Sequence, residues 1–293
     1  MRLVSYSHLG EPRFGALQED PQGGAPRGGI VDLTGRIAPQ IRSIQDLLRA
    51  DQLAAAADYV QGRAANIGWC DAPLLPVIPA PGKILCVGLN YETHRAETKR
   101  PEVANPTIFT RFADSQVAHR QPMVKPAVSE RFDYEGELAL VIGRPGRRIP
   151  EARALEHVAG YACYNDGSVR DWQRHTMQFT PGKTFPGTGA FGPYLLTRDA
   201  APDYRLLSIE TRLNGETMQS ASLANLIFPL ERLIAYISSF TPLSAGDVIV
   251  TGTPGGVGDK REPPVYLTPG DQVEVEIGPL GVLSNPVIAE EAI

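Results

Sequence analysis

The chain has 293 residues, 42% of them hydrophobic and 21% charged, an ordinary globular composition with room for one large domain or two unequal ones. A net charge of −5 without any basic run argues against nucleic acid as a partner. No stretch approaches the roughly 18 apolar residues of a membrane span, and "MRLVSYSHLG" has no apolar leader core, so the expected setting is the cytoplasm. Cys70, Cys86 and Cys163 are scattered without a CxxC spacing, as suits reduced thiols, and the many glycines and prolines point to a turn-rich, mainly β chain.

From the N-terminus, "RLVSYSH", "RFGALQED" and "GGIVDLT" read as short antiparallel strands set between Gly and Pro turns. "SIQDLLRADQLAAAADYVQGRA" then has helical spacing at Leu47, Leu48, Leu53 and Ala56, with Ser43 placed to cap it. The proline-rich "DAPLLPVIPAPGK" suits neither a helix nor a central strand. It marks a boundary between a small N-terminal α+β lobe, residues 1–78, and a larger domain, residues 79–293.

Past the boundary, strand follows strand. "KILCVGL", "NPTIFTRF" and "FDYEGELALVIG" lead to a short helix, "PEARALEHVAG". "YACYND", "GPYLLT" and "SIETRLNGE" precede a second helix, "LANLIFPLERLIAYISSF", and "DVIVTGTP" and "DQVEVEIGPLGVLSNPV" close the chain. Helices do not alternate with strands, which favours a β-rich roll or sandwich over a doubly wound sheet. "GTGAFG" follows no strand, "GTPGGVGDK" lacks a Lys directly after its last Gly, and neither GxSxG nor HExxH occurs. Rossmann, phosphate-loop, serine-hydrolase and zincin readings therefore fall away.

The strand "FDYEGELALVIG" sets Asp133, Glu135 and Glu137 on one face, because side chains alternate along a strand. Like charges that close repel, so either the face is solvated or a cation sits between Glu135 and Glu137. Asp166, at the end of the apolar run "GYACYND", supplies a third carboxylate. Three carboxylates without clustered His or Cys form a hard-cation set suited to Mg²⁺, with Mn²⁺ or Ca²⁺ tolerated. Arg170 and Gln173 follow within two helical turns, and Lys183 lies in "TPGKTF", all donors for an anion or a developing enolate. In "VGLNYETHRAE", His94 and Glu97 are three apart, so Glu97 can orient His94 as a general base.

"ILCVGLNYETHRAE", "PTIFTRF", "DYEGELALVIG", "GYACYNDGSVRDWQ", "LNGETMQ" and "GDVIVTGTPGGVG" occur in the order found in the fumarylacetoacetate hydrolase family, which the chain resembles over residues 80–290 or so. The resemblance implies a catalytic β-roll domain, usually homodimeric, with a divalent metal on Glu135, Glu137 and Asp166 and a His-x-x-Glu dyad at His94 and Glu97. It implies substrate contacts at Arg170, Gln173, Lys183 and Thr253. Arg111 stands where many members have a Lys, and "QRHTMQFTPG" departs from the common pattern after Gln173; both bear on the substrate pocket.

The expected activity is metal-dependent cleavage of a C–C bond in a β-diketo acid of the acylpyruvate type, as in aromatic catabolism. Water is activated by His94 and Glu97, and the leaving enolate is stabilised by the cation and Lys183. The same residues suit decarboxylation of an oxaloacetate-type acid, keto–enol tautomerisation or hydroxymuconate isomerisation. A small keto acid is the expected ligand in every case.

Overall fold

The structure is a computed structural model that describes residues 1–18 and 28–291. Strands dominate and helices do not alternate with them, as the sequence led us to expect. The first two strands, Arg2–His8 and Glu11–Leu17, pair antiparallel across a turn in which Leu9 and Gly10 both have positive φ. Residues 19–20 of the expected strand "RFGALQED" lie outside the described residues.

The single helix expected over 43–64 is two helices, α1 (Ile44–Arg49) and α2 (Leu53–Val60). Ser43 caps α1 as predicted, its Oγ accepting from the Asp46 N–H at 3.0 Å. Asp51 ends α1 by turning left-handed (φ 53°), and the Asp51 and Gln52 amides fold back onto the Leu48 and Leu47 carbonyls. A left-handed C-terminal turn of this kind is invisible to apolar periodicity, which runs straight through it. The remaining helices are α3 (Glu92–Glu97), α4 (Arg170–Gln173) and α5 (Leu230–Phe240). The expected helix "PEARALEHVAG" is a 3₁₀ segment, Glu151–His157. α5 starts only after Pro229, and Leu230, Leu233, Ile234 and Ile237 bury its apolar face. None of the helices among the described residues is long and apolar enough to cross a membrane.

The larger sheet runs Ile67–Gly68, Gly29–Asp32, Glu11–Leu17, Arg2–His8, Gly189–Thr197, Val158–Asp166, Gly136–Ile142, Val248–Val250, Ile84–Gly88, Thr107–Arg111. Its N-terminal strands thus continue the same sheet, joined where Arg2 and Leu3 face Leu196 and Leu195. Its centre, Gly136–Ile142 and Val158–Asp166, is buried along its whole length, as suits segments that are almost wholly apolar apart from Glu137 near the start of one and Asn165–Asp166 at the end of the other. A second sheet, Glu216–Ser222, Ser208–Leu213, Gln272–Glu276, Val282–Ala289 and Met123–Lys125, packs against it.

The strand expected over 132–143 is interrupted. Phe132–Asp133 pairs with Ser168–Val169, and Gly136–Ile142 pairs with Val158–Asp166, leaving Tyr134 and Glu135 between two ladders. Side-chain amides replace the missing partners there: the Glu135 N–H donates to Asn165 Oδ1 at 2.9 Å and the Gly136 N–H to Gln219 Oε1 at 3.0 Å. Gly136 is required because a Cβ would collide with the Thr211 hydroxyl of the second sheet.

His119 gives this packing a pH dependence. Its Nδ1 accepts the Ser284 N–H at 3.0 Å, so the ring must be neutral there, and burial, aided by Arg120, lowers it from 6.5 to about 4. The folded state therefore binds a proton less readily than the unfolded chain. The contribution is complete above pH 6.5 and is lost as pH falls from 6.5 towards 4, by about 3 kcal/mol. His119→Asn keeps an acceptor for Ser284 and removes the titration. Its unfolding free energy should fall less steeply than the wild type's between pH 6.5 and 4 in urea melts; parallel curves would show that His119 does not carry the dependence.

Candidate active site

Two neighbouring strands and one unpaired corner deliver the acids. Glu137 faces Tyr164 across the ladder, Asp166 ends its strand two residues on, and the Asp166 N–H donates to the Glu135 carbonyl at 2.8 Å. Glu135, Glu137 and Asp166 are all buried, and each offers a carboxylate oxygen within 4.8 Å of the other two. The sequence-derived trio is therefore one cluster.

The cations predicted nearby are there, but they hold the acids. Lys183 Nζ lies 2.6 Å from both Glu135 Oε2 and Asp166 Oδ2. Arg170 donates Nε to Asp133 Oδ2 at 2.8 Å and Nη1 to Gln173 Oε1 at 3.1 Å, with Nη1 also 2.6 Å from Glu135 Oε1. Burial alone would raise Glu135, yet Arg170 and Lys183 keep it well below the usual carboxylate range. Lys183 would be lowered by burial, but Asp166 and Glu135 raise it, so it is an ammonium. Glu137 goes the other way: burial, with Asp166 and Glu135 beside it, pushes it well up.

These residues fit a divalent cation. Asp133, Glu135, Glu137 and Asp166 face Arg111, Arg170 and Lys183, which leaves one buried carboxylate without a positive partner. An all-oxygen donor set with a surplus negative charge is what a hard cation such as Mg²⁺ or Mn²⁺ binds.

Arg111 needs correcting as a substrate contact. Its guanidinium is wholly buried and spent on protein groups: Nη1 donates to Asp166 Oδ1 at 2.6 Å and the Gly167 carbonyl at 3.0 Å, and Nη2 to Thr188 Oγ1 at 2.8 Å. It braces a carboxylate from behind and does not line the cavity. Thr253 does line it, but its hydroxyl donates to the Gly136 carbonyl at 2.9 Å and accepts from Gln219 Nε2 at 2.8 Å.

The strand Ile84–Gly88 runs into α3 through Leu89, which is left-handed (φ 58°), and Asn90. Asn90 is fully buried and donates Nδ2 to the Thr251 carbonyl at 2.7 Å while Oδ1 accepts the Phe228 N–H at 2.7 Å. This anchor sets where α3 begins. His94 Nδ1 is 2.6 Å from Glu97 Oε1, and Glu97 Oε2 accepts the Gly256 N–H at 2.9 Å. An ionised carboxylate only accepts, so Nδ1 carries the hydrogen and Nε2 is left as a base.

A cavity of about 120 Å³ joins these parts, lined by His94, Glu135, Glu137, Arg170, Gln173 and Lys183 among others. Its lining also includes three cations absent from the sequence reading: Arg100, Arg174 and Lys260. Arg174 and Lys260 both pair with Asp259, whereas no partner for the exposed Arg100 guanidinium occurs among the described residues. Asn165 and Gln219 were missed as well, and Asp133, named only as an acid of the strand, is the partner of Arg170. Both missed residues were within reach: Asn165 stands beside Asp166, and Gln219 closes the motif "LNGETMQ".

Residues 83–288 match the family model described as Fumarylacetoacetate (FAA) hydrolase C-terminal. Over 98% of this chain and 90% of the relative, the sequence is 38% identical to "Oxaloacetate tautomerase fahd2, mitochondrial" of Xenopus laevis. The fold is similar to that of 5-carboxymethyl-2-hydroxymuconate delta-isomerase from Mycobacterium smegmatis, with a TM-score of 0.77, 29% identity and full coverage of both chains. It is also similar to maleylpyruvate hydrolase from Sphingobium sp. SYK-6, solved with manganese(II) and pyruvate, with a TM-score of 0.80, 26% identity, and 99% and 100% of the two chains covered.

Proposed function

The chain belongs to the fumarylacetoacetate hydrolase family, and from that premise we propose that it is an oxaloacetate-type keto–enol tautomerase that needs a divalent cation. The observation that carries this reading is one cavity lined by an oriented imidazole base, two of the three clustered carboxylates and several cations. The likeness to an oxaloacetate tautomerase over nearly the whole chain supports it.

A divalent cation held by Glu135, Glu137 and Asp166 would serve as a Lewis acid toward the 2-oxo acid group, making the adjacent C–H bond more acidic. His94 Nε2 takes a proton from C3, the C2–C3 double bond forms, and the electron pair of the C2 carbonyl moves to its oxygen. The imidazolium, steadied by Glu97, returns the proton to that oxygen. The Lys183 ammonium offers a hydrogen bond where negative charge develops. Arg100, Arg174 and Lys260 exceed Asp259 by two charges, so the mouth favours a second carboxylate.

Arg100→Gln should therefore raise KM for oxaloacetate about three- to tenfold, with kcat little changed. A monocarboxylic 2-oxo acid should show no such change. Equal effects on both would remove the diacid from the reading.

Acylpyruvate hydrolysis is the second reading, favoured by the likeness to maleylpyruvate hydrolase. There the same His94 takes its proton from water, which attacks the remote carbonyl. We also propose a homodimer, as the family implies. Light scattering at micromolar concentration should give twice 31.7 kDa, and a single-chain mass would reject it.

A further inference from the structure

We propose that Thr93 is a positioning residue that latches α3, and with it the His94–Glu97 dyad, onto the Gly255–Gly256 turn. The proposal rests on the reading of His94 as the base. A helix of six residues has little stability of its own, and α3 has no side-chain cap at its N-terminus. Something outside it must hold it.

Two hydrogen bonds do so. Thr93 Oγ1 accepts the Gly255 N–H at 3.0 Å, and Glu97 Oε2 accepts the Gly256 N–H at 2.9 Å. Among the described residues these are the hydrogen bonds that tie α3 side chains to chain outside residues 90–100. Arg95 turns inward to Glu92 and the Arg100 carbonyl, and the Thr98 hydroxyl to the His94 and Arg95 carbonyls. The same turn reaches the carboxylate cluster at its other end, where the Gly252 N–H donates to Glu137 Oε2.

Each glycine of the pair has a reason. A Cβ on Gly255 would press against Thr93 Cβ, and Gly256 has φ of +100° with no room for a Cβ beside the Met218 carbonyl. "GTPGGVG", which fails as a phosphate loop, thus aims successive amides at the helix that bears the base. Gly256 orients Glu97 directly. Thr93, one residue before His94, fixes the helix from its first turn.

Thr93→Val keeps the side chain's shape and removes its acceptor; Thr93→Ser restores the hydroxyl. Hydrogen exchange of amides 92–99 should be about three- to tenfold faster in Thr93→Val, the worth of one neutral hydrogen bond. kcat for oxaloacetate should fall by a similar factor, with KM and melting temperature nearly unchanged and Thr93→Ser close to wild type. Unchanged exchange in Thr93→Val would overturn the latch. Faster exchange with unchanged kcat would leave the latch standing and overturn the dyad reading beneath it.

Discussion

Glu137→Gln is expected to abolish cation-dependent turnover, by about a thousandfold or more, and to weaken Mn²⁺ binding by on the order of a hundredfold or more. Its fold should survive, for a reason visible in the structure. Glu135 shares Arg170 with Asp133 and Lys183 with Asp166, but Asp166 is the carboxylate paired with Arg111, so neutralising Asp166 strands a buried cation. That costs roughly 3–5 kcal/mol and would confuse lost binding with lost folding. Glu137 has the Gly252 N–H as its hydrogen-bond partner, which a Gln carbonyl also satisfies. Calorimetric titration with Mn²⁺, alongside a urea melt, separates the two effects. Wild-type Mn²⁺ affinity in Glu137→Gln would show that Glu137 is no ligand.

His94→Ala should lower kcat by about 10² to 10⁴, the usual worth of a positioned general base. Cation affinity should stay the same, because His94 is outside the carboxylate cluster. Glu97→Gln should cost less, since the imidazole remains and loses only the charge that steadies its protonated form. The order His94→Ala below Glu97→Gln below wild type in kcat, at constant cation affinity, is the signature. Equal turnover in His94→Ala and wild type would move the base elsewhere.

Much of this site was legible because its chemistry is unusual for its surroundings. Glu135 and Glu137 stood out in an apolar strand, and Asp166 at the end of another. His94 and Glu97 stood at a spacing that lets side chains meet; His94, Glu135 and Glu137 line the cavity, with Glu97 bonded to His94 and Asp166 buried beside the two glutamates. What stayed hidden depends on chain brought from afar. Arg111 is 55 residues from Asp166, and sequence position gave no sign that its charge would be consumed by a buried carboxylate. Gln219 is 83 residues from the amide it satisfies, and its place at the end of "LNGETMQ" does not say which amide it meets. Local backbone hid other features. The corner at Tyr134–Glu135 breaks a strand whose alternation looks continuous, and Asp51 divides a helix whose apolar spacing does not. Periodicity reports which face is apolar; it does not report where a backbone amide changes partner.

The most direct test of the proposed activity is the rate of enol-to-keto conversion of oxaloacetate, followed by the loss of enol absorbance, with Mn²⁺ and after EDTA treatment. The account predicts a rate far above that of buffer with Mn²⁺ present, lost on EDTA treatment and restored by Mn²⁺, and faster than cleavage of an acylpyruvate by the same preparation. A rate no greater than the buffer's, or one untouched by EDTA, would contradict it.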